Sequence, residues 1–140
     1  IWAALEVVRL KSLVAEDPLG LSARVAEDGG NWSVGQRQLL CVARALLRRP
    51  RVLVMDEATS SCDASADALI QAAVRSEFAS ATVLTIAHRV STILDSSAIL
   101  VMEKGKLAES GGVRELLEKE GGLFRALVEG SSGGGGGGGE

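Results

Sequence analysis

Between Ser33 and Ala87 the chain alternates helix, short apolar run, helix, short apolar run, and no other feature narrows the fold so far. Leu39, Leu40, Val42, Ala43, Leu46 and Leu47 recur at helical spacing up to Arg49; Pro50 ends the run and Ser33 is placed as its N-cap. Residues 51–55 form a β-branched-rich apolar stretch that stops abruptly at Asp56-Glu57, the pattern of a buried strand. A second amphipathic helix follows over residues 64–78, with Leu69, Ile70, Ala73, Val74 and Phe78 on its apolar side, and residues 81–87 give another buried-strand run ending at His88. Strand, crossover helix, strand predicts parallel pairing and an α/β fold.

The flanks are simpler. Ile1, Leu5, Val8 and the stretch from Leu10 to Val14 predict one helix over residues 1–15, stopped by Pro18 and Gly20, and residues 21–31 read as a polar loop containing glycine. Residues 98–102 and 106–109 flank Lys104-Gly105 as a hairpin would, and two short helices are predicted over residues 113–119 and 123–128. From Gly130 onward, Ser-Ser and seven glycines have no apolar surface to bury, so a flexible end is expected. The chain opens at Ile1 without Met, inside an amphipathic pattern, which predicts further chain upstream.

Composition bounds the partners. The formal net charge is −3 and the basic residues are scattered apart from Arg48-Arg49-Pro50-Arg51, so no broad surface for nucleic acid is expected. No apolar stretch approaches the roughly 18–20 residues of a membrane-spanning helix. Cys41 and Cys62 form neither a metal spacing nor a disulfide framework.

Three local features carry chemistry. A strand that ends in carboxylates delivers them to the sheet edge where open α/β folds bind ligands; there Asp56 suits a Mg²⁺ shell completed by phosphate oxygens, and Glu57 suits a base or positioning group for an attacking water. The hexapeptide Val52-Leu53-Val54-Met55-Asp56-Glu57 also fits a core strand that merely runs into an acidic loop. Asn31-Trp32-Ser33-Val34-Gly35-Gln36 leads into a helix N-terminus, whose unpaired N–H groups favour anions; an ordinary capped surface helix has the same appearance. His88, the one histidine, ends the second strand, where it serves either as a structural hydrogen-bonding residue or as a partner of Glu57 and a terminal phosphate.

Taken together these parts become specific. Ser33-Val34-Gly35-Gln36-Arg37-Gln38 resembles the ATP-binding cassette signature, commonly Leu-Ser-Gly-Gly-Gln, and it is followed in the family's order by a helix, Asp56-Glu57-Ala58-Thr59-Ser60 (Walker B), Ser60-Ser61-Cys62-Asp63 (D-loop) and His88 (switch histidine). The resemblance runs from about Trp2 to Val128. Val34 in place of a glycine, the stretch from Arg37 to Leu47, Thr82-Val83-Leu84-Thr85-Ile86-Ala87-His88-Arg89 and Gly122-Leu123-Phe124 look like the second nucleotide-binding domain of the multidrug-resistance-associated (C) subfamily. First domains of that subfamily usually lack the glutamate after the Walker B aspartate, so Glu57 points to the second. Trp32, where Leu or Phe is usual, and Cys62 in the D-loop depart from the pattern.

The resemblance implies the C-terminal half of a P-loop NTPase, a RecA-like parallel sheet with helices. Residues 1–49 would end its helical signature subdomain, 50–130 would belong to the ATPase core, and 131–140 would be a disordered tail. It implies ATP and Mg²⁺ as ligands, a second nucleotide-binding domain in a head-to-tail dimer, transmembrane domains as partners, and a place on the cytoplasmic face of a membrane with the segment itself soluble. Asp56, Glu57 and His88 would serve ATP held by their own domain, whereas Ser33, Val34, Gly35 and Gln36 would close over the partner's ATP and Asp63 would lie across the interface. The 140 residues contain no Gly-x-x-x-x-Gly-Lys-Ser/Thr, since Gly105-Lys106 is followed by Leu107. The chain alone is therefore expected to bind ATP very poorly and to lack activity. A soluble cassette ATPase of the DNA-repair or chromosome-maintenance type shares these motifs, though no heptad run appears here, and an inactive truncated product is a further reading.

Overall fold

The computed structural model describes residues 1–56, 62–86 and 90–132, which form two compact units, Ile1–Ile86 and Ala87–Glu140. The first unit contains helices α1 (Trp2–Val7), α2 (Lys11–Glu16), α3 (Val34–Arg48) and α4 (Ala64–Glu77) and strands β1 (Val52–Asp56) and β2 (Thr82–Ile86). Within it α3 and α4 share one apolar core.

Where one N-terminal helix was expected, the structure has two. The chain breaks at Arg9, whose φ of 59° is left-handed. Its N–H donates to Glu6 O (3.0 Å) and that of Leu10 to Leu5 O (2.9 Å), the paired bonds of a Schellman ending, while Leu5 and Leu10 are both buried as the motif's apolar contact requires. Two 3-10 turns, Gly20–Ser22 and Glu27–Gly29, interrupt the polar segment that follows. Asn31 braces it, accepting from Ala26 N–H (3.0 Å) and donating to Arg24 O (3.1 Å).

Strands β1 and β2 pair in parallel, Val52 with Thr82 through to Asp56 with Ile86, as the alternation predicted. One face of this ribbon meets the core: Met55 is buried, and Leu53 and Val83 pack against a cluster that includes Leu39, Ala43, Ile70 and Val74. The other face differs from the fully buried strands expected. Within this stretch of chain Val52, Val54, Leu84 and Ile86 are exposed, since the helices it contains supply apolar side chains to a single face.

The second unit is built on a hairpin of β3 (Ile99–Glu103) and β4 (Lys106–Gly111), with α5 (Val90–Ile93), α6 (Val113–Glu118) and α7 (Leu123–Ser132). Lys104 (φ 48°) and Gly105 (φ 76°) both take positive φ, as a two-residue hairpin turn of this hand demands. Ile99, Val101, Leu116 and Phe124 make its core. Helix α7 continues to Ser132, beyond the Val128 expected, and residues 133–140 lie outside the described residues. No helix among the described residues is long and apolar enough to cross a membrane.

Candidate functional site

The first turn of α3 is fixed by its own side chains. Ser33 Oγ accepts from Gln36 N–H at 3.1 Å and Gln36 Oε1 accepts from Ser33 N–H at 2.9 Å, a reciprocal capping box. A hydroxyl carries one donor, and a glutamine amide one acceptor oxygen and two N–H donors. The box uses Ser33 Oγ and Gln36 Oε1 as acceptors and, among the described residues, leaves the donors of both side chains unengaged. With no acidic residue in the first turn and the helix dipole adding partial positive charge, the end of α3 suits an anion. Val34 is exposed at the first position of the helix.

The loop before the signature is held to the same helix. Arg37 Nη1 donates to Asp28 O at 3.1 Å, and its stem lies so close to Gly29 that a Cβ there would stand 2.8 Å from Arg37 Cδ. Trp32 packs half-buried against the first unit's core, but its indole Nε1 is buried without a hydrogen-bond partner among the described residues. That orphan donor is the structural counterpart of the departure seen in the sequence.

Gly35 has a tertiary role that the sequence did not disclose. It is buried, and a Cβ built on it would lie 2.7 Å from Ala66 Cβ and 3.8 Å from Asp63 Oδ2. The glycine therefore lets the first turns of α3 and α4 touch, whatever it also does for a phosphate. Asp63 caps α4: its Oδ1 accepts from Ala66 N–H (2.8 Å) and Ser65 Oγ (2.6 Å). Those bonds, the Ser65 hydroxyl first, hold its carboxyl below the usual aspartate range.

The structure thus brings Ser33, Gly35, Gln36 and Asp63 together where two helices begin. Asp56 lies elsewhere in the unit, exposed at the C-terminal end of β1 and paired with Ile86. Among the described residues no three His, Cys, Asp or Glu side chains gather as a metal cage. A carboxylate at a sheet edge fits a Mg²⁺ ion whose remaining ligands are phosphate oxygens and water. Glu57 and His88 lie outside the described residues.

Sequence reasoning also missed Glu109, a buried carboxylate in the second unit. Its oxygens accept from Leu123 N–H (3.1 Å), Phe124 N–H (3.1 Å) and Lys119 Nζ (2.9 Å), capping α7 from a strand. The Lys119 ammonium foremost, then the Phe124 amide, keeps its carboxyl below the usual glutamate range. An acidic strand residue preceding Gly121-Gly122 and a helix start was the one sequence signal available.

Comparison with known proteins bears on the same residues. Residues 4–60 match the family model described as ABC transporter. The chain is 53% identical over 124 residues to ATP-binding cassette sub-family C member 2 of Homo sapiens, covering 89% of this chain and 8% of that protein. It is 51% identical over 132 residues to a probable multidrug resistance-associated protein of Drosophila melanogaster, covering 94% of this chain and 10% of that protein. It therefore spans a tenth or less of the length of these relatives. A bacterial Atm1-family ABC exporter solved with ATP bound superposes with a TM-score of 0.83 at 34% identity, covering 94% of this chain and 23% of that one. The parallel strands and their helices accordingly form part of a P-loop NTPase fold.

Proposed function

We infer, from the premise that this chain belongs to the C subfamily of ABC transporters as part of a nucleotide-binding domain, that its parent protein couples ATP binding and hydrolysis to export across a membrane. The observation that supports this most is the register. Asp56 pairs with Ile86, so the two strands end together, and Glu57 and His88 follow that shared edge by one and two residues along the chain. Asp56 would hold Mg²⁺ through water, and the ion when bound would offset the charge of the phosphates. Glu57 orients the attacking water and takes its proton, and His88 donates to the terminal phosphate and steadies Glu57.

Ser33, Val34, Gly35 and Gln36 close over ATP held by a second nucleotide-binding domain in a head-to-tail dimer. The unengaged donors of Ser33 and Gln36 suit the γ-phosphate, and Asp63 lies across the interface. Closure follows from a higher affinity of ATP for the closed pair than for the open one. Transmembrane domains receive that motion, which places these residues at the cytoplasmic face. Glu57 favours the second nucleotide-binding domain of the parent protein.

The test is Glu57→Gln in the intact protein. ATP turnover should fall by about 10²–10⁴-fold, the contribution of a positioned base, while ATP binding persists. Unchanged turnover would remove Glu57 from the mechanism. The 140-residue chain alone, which contains no Walker A sequence, should show no tight ATP binding by calorimetry.

A further inference from the structure

We propose that Ala66 is a positioning residue for nucleotide-driven closure. It locks the anion-facing turn of α3 to the Asp63 turn of α4, so that the two move as one block. The proposal rests on the roles given above to residues 33–36 and to Asp63.

Ala66 is the residue that touches both ends. Its N–H is held by Asp63 Oδ1 at 2.8 Å, and the same oxygen takes the Ser65 hydroxyl at 2.6 Å, so the Ala66 backbone follows the Asp63 carboxylate. Its methyl group occupies the space beside Gly35 where a second methyl would come within 2.7 Å. Carbon atoms in ordinary contact stand about 3.5–4.0 Å apart, so α3 cannot move closer to α4 than glycine allows.

On the α3 side, Gly35 sits between Ser33 and Gln36, and their two reciprocal hydrogen bonds make the turn a closed loop. Ser33 is thus connected to Asp63 through the capping box, Gly35, Ala66 and the α4 cap, each step a hydrogen bond or a contact without spare volume. Below this junction Leu39 and Ala43 of α3 and Ile70 and Val74 of α4 share one buried cluster, which prevents the helices from pivoting apart. A displacement of Ser33 by a phosphate is therefore carried to Asp63, and contact at Asp63 fixes where Ser33 waits. Packed elements transmit shifts in this way because their interiors do not deform continuously.

The experiment uses the intact transporter with Glu57→Gln, which suppresses turnover. Spin labels on the two nucleotide-binding domains report closure by their separation as ATP is titrated. Ala66→Val places extra carbons against Gly35 and should raise the ATP concentration for half-closure by about tenfold or more, since a displacement near 1 Å at a positioned group can cost about 10²-fold. Ala66→Ser, close to alanine in size, should restore a near-parent midpoint. Where Ala66→Val fails to fold, Ala66→Gly removes the contact without crowding and should move the midpoint the same way. A residue that merely supports the fold would lower the melting temperature and leave the midpoint of the folded protein where it was; that result overturns the proposal. If the Glu57→Gln protein does not close on ATP at all, the reading of the site falls and this proposal with it, whereas closure with an unmoved midpoint overturns the coupling alone.

Discussion

Gly35→Ala is the perturbation whose outcome the structure specifies most sharply. Two opposed effects act. Alanine is a better helix residue than glycine by about 0.8–1.0 kcal/mol, less in a first turn than in a helix interior. Against this, the new methyl would lie 2.7 Å from Ala66 Cβ, roughly 1 Å inside ordinary carbon contact. Both atoms are borne by helical backbone, so neither can rotate away, and crowding of this kind costs about 1–3 kcal/mol. The net expectation is a loss of about 1 kcal/mol.

Changing the neighbour should reverse the sign. Ala66→Gly alone costs about 1.5–2 kcal/mol, from helix propensity and the loss of one buried methyl. In that background the site beside Gly35 is empty, and Gly35→Ala should stabilise by about 0.5–1 kcal/mol. The double-mutant cycle therefore carries a coupling of about 2 kcal/mol, read from urea unfolding followed by circular dichroism at constant m-value. Stabilisation by Gly35→Ala in the unaltered chain, or a cycle that closes additively, would refute the contact as the reason for the glycine.

Two further outcomes follow from the caps. Asp63→Ala should lower the melting temperature, and Asp63→Asn, which keeps the capping oxygen but not the charge, should lower it by less, as a thermal melt of each variant will show. Asp63 and Glu109 both have folded pKa values below their unfolded ones, so their contributions are complete above the unfolded values, about 3.9 and 4.3, and disappear as pH falls through the folded values. The urea midpoint should accordingly drop as the solution is acidified below about pH 4, and Glu109→Gln should flatten part of that drop. A midpoint independent of pH in this window would contradict both caps.

Legibility in the sequence depended on the range of the interaction that fixes each feature. The start of α3 was readable because Ser33 and Gln36, three positions apart, carry the whole capping box. The parallel pairing was readable because an apolar run, a helix and a second run admit few alternatives. Arg9 was not, since an arginine in the left-handed region has no local signature of the kind a glycine gives, and the break is decided by Leu5 and Leu10 going into the core. Gly35 was read for a plausible ligand role while its contact with Ala66, a whole strand further along the chain, stayed invisible. Glu109 was missed for the same reason: the amides it caps belong to a helix that follows another helix in sequence.

The two kinds of strand pairing also set a timetable for synthesis. The hairpin of β3 and β4 needs only its own turn, and such ribbons close in about 1–10 μs. Strand β1 has no such partner at hand; Val52 and Val54 must wait until α4 and then β2 have been made before Thr82 and Leu84 can pair with them. At about 5–20 residues per second, the interval is a few seconds. For that time the edge of β1 that β2 will occupy stands without its partner, and it is during this wait that a chaperone has most to protect on that edge.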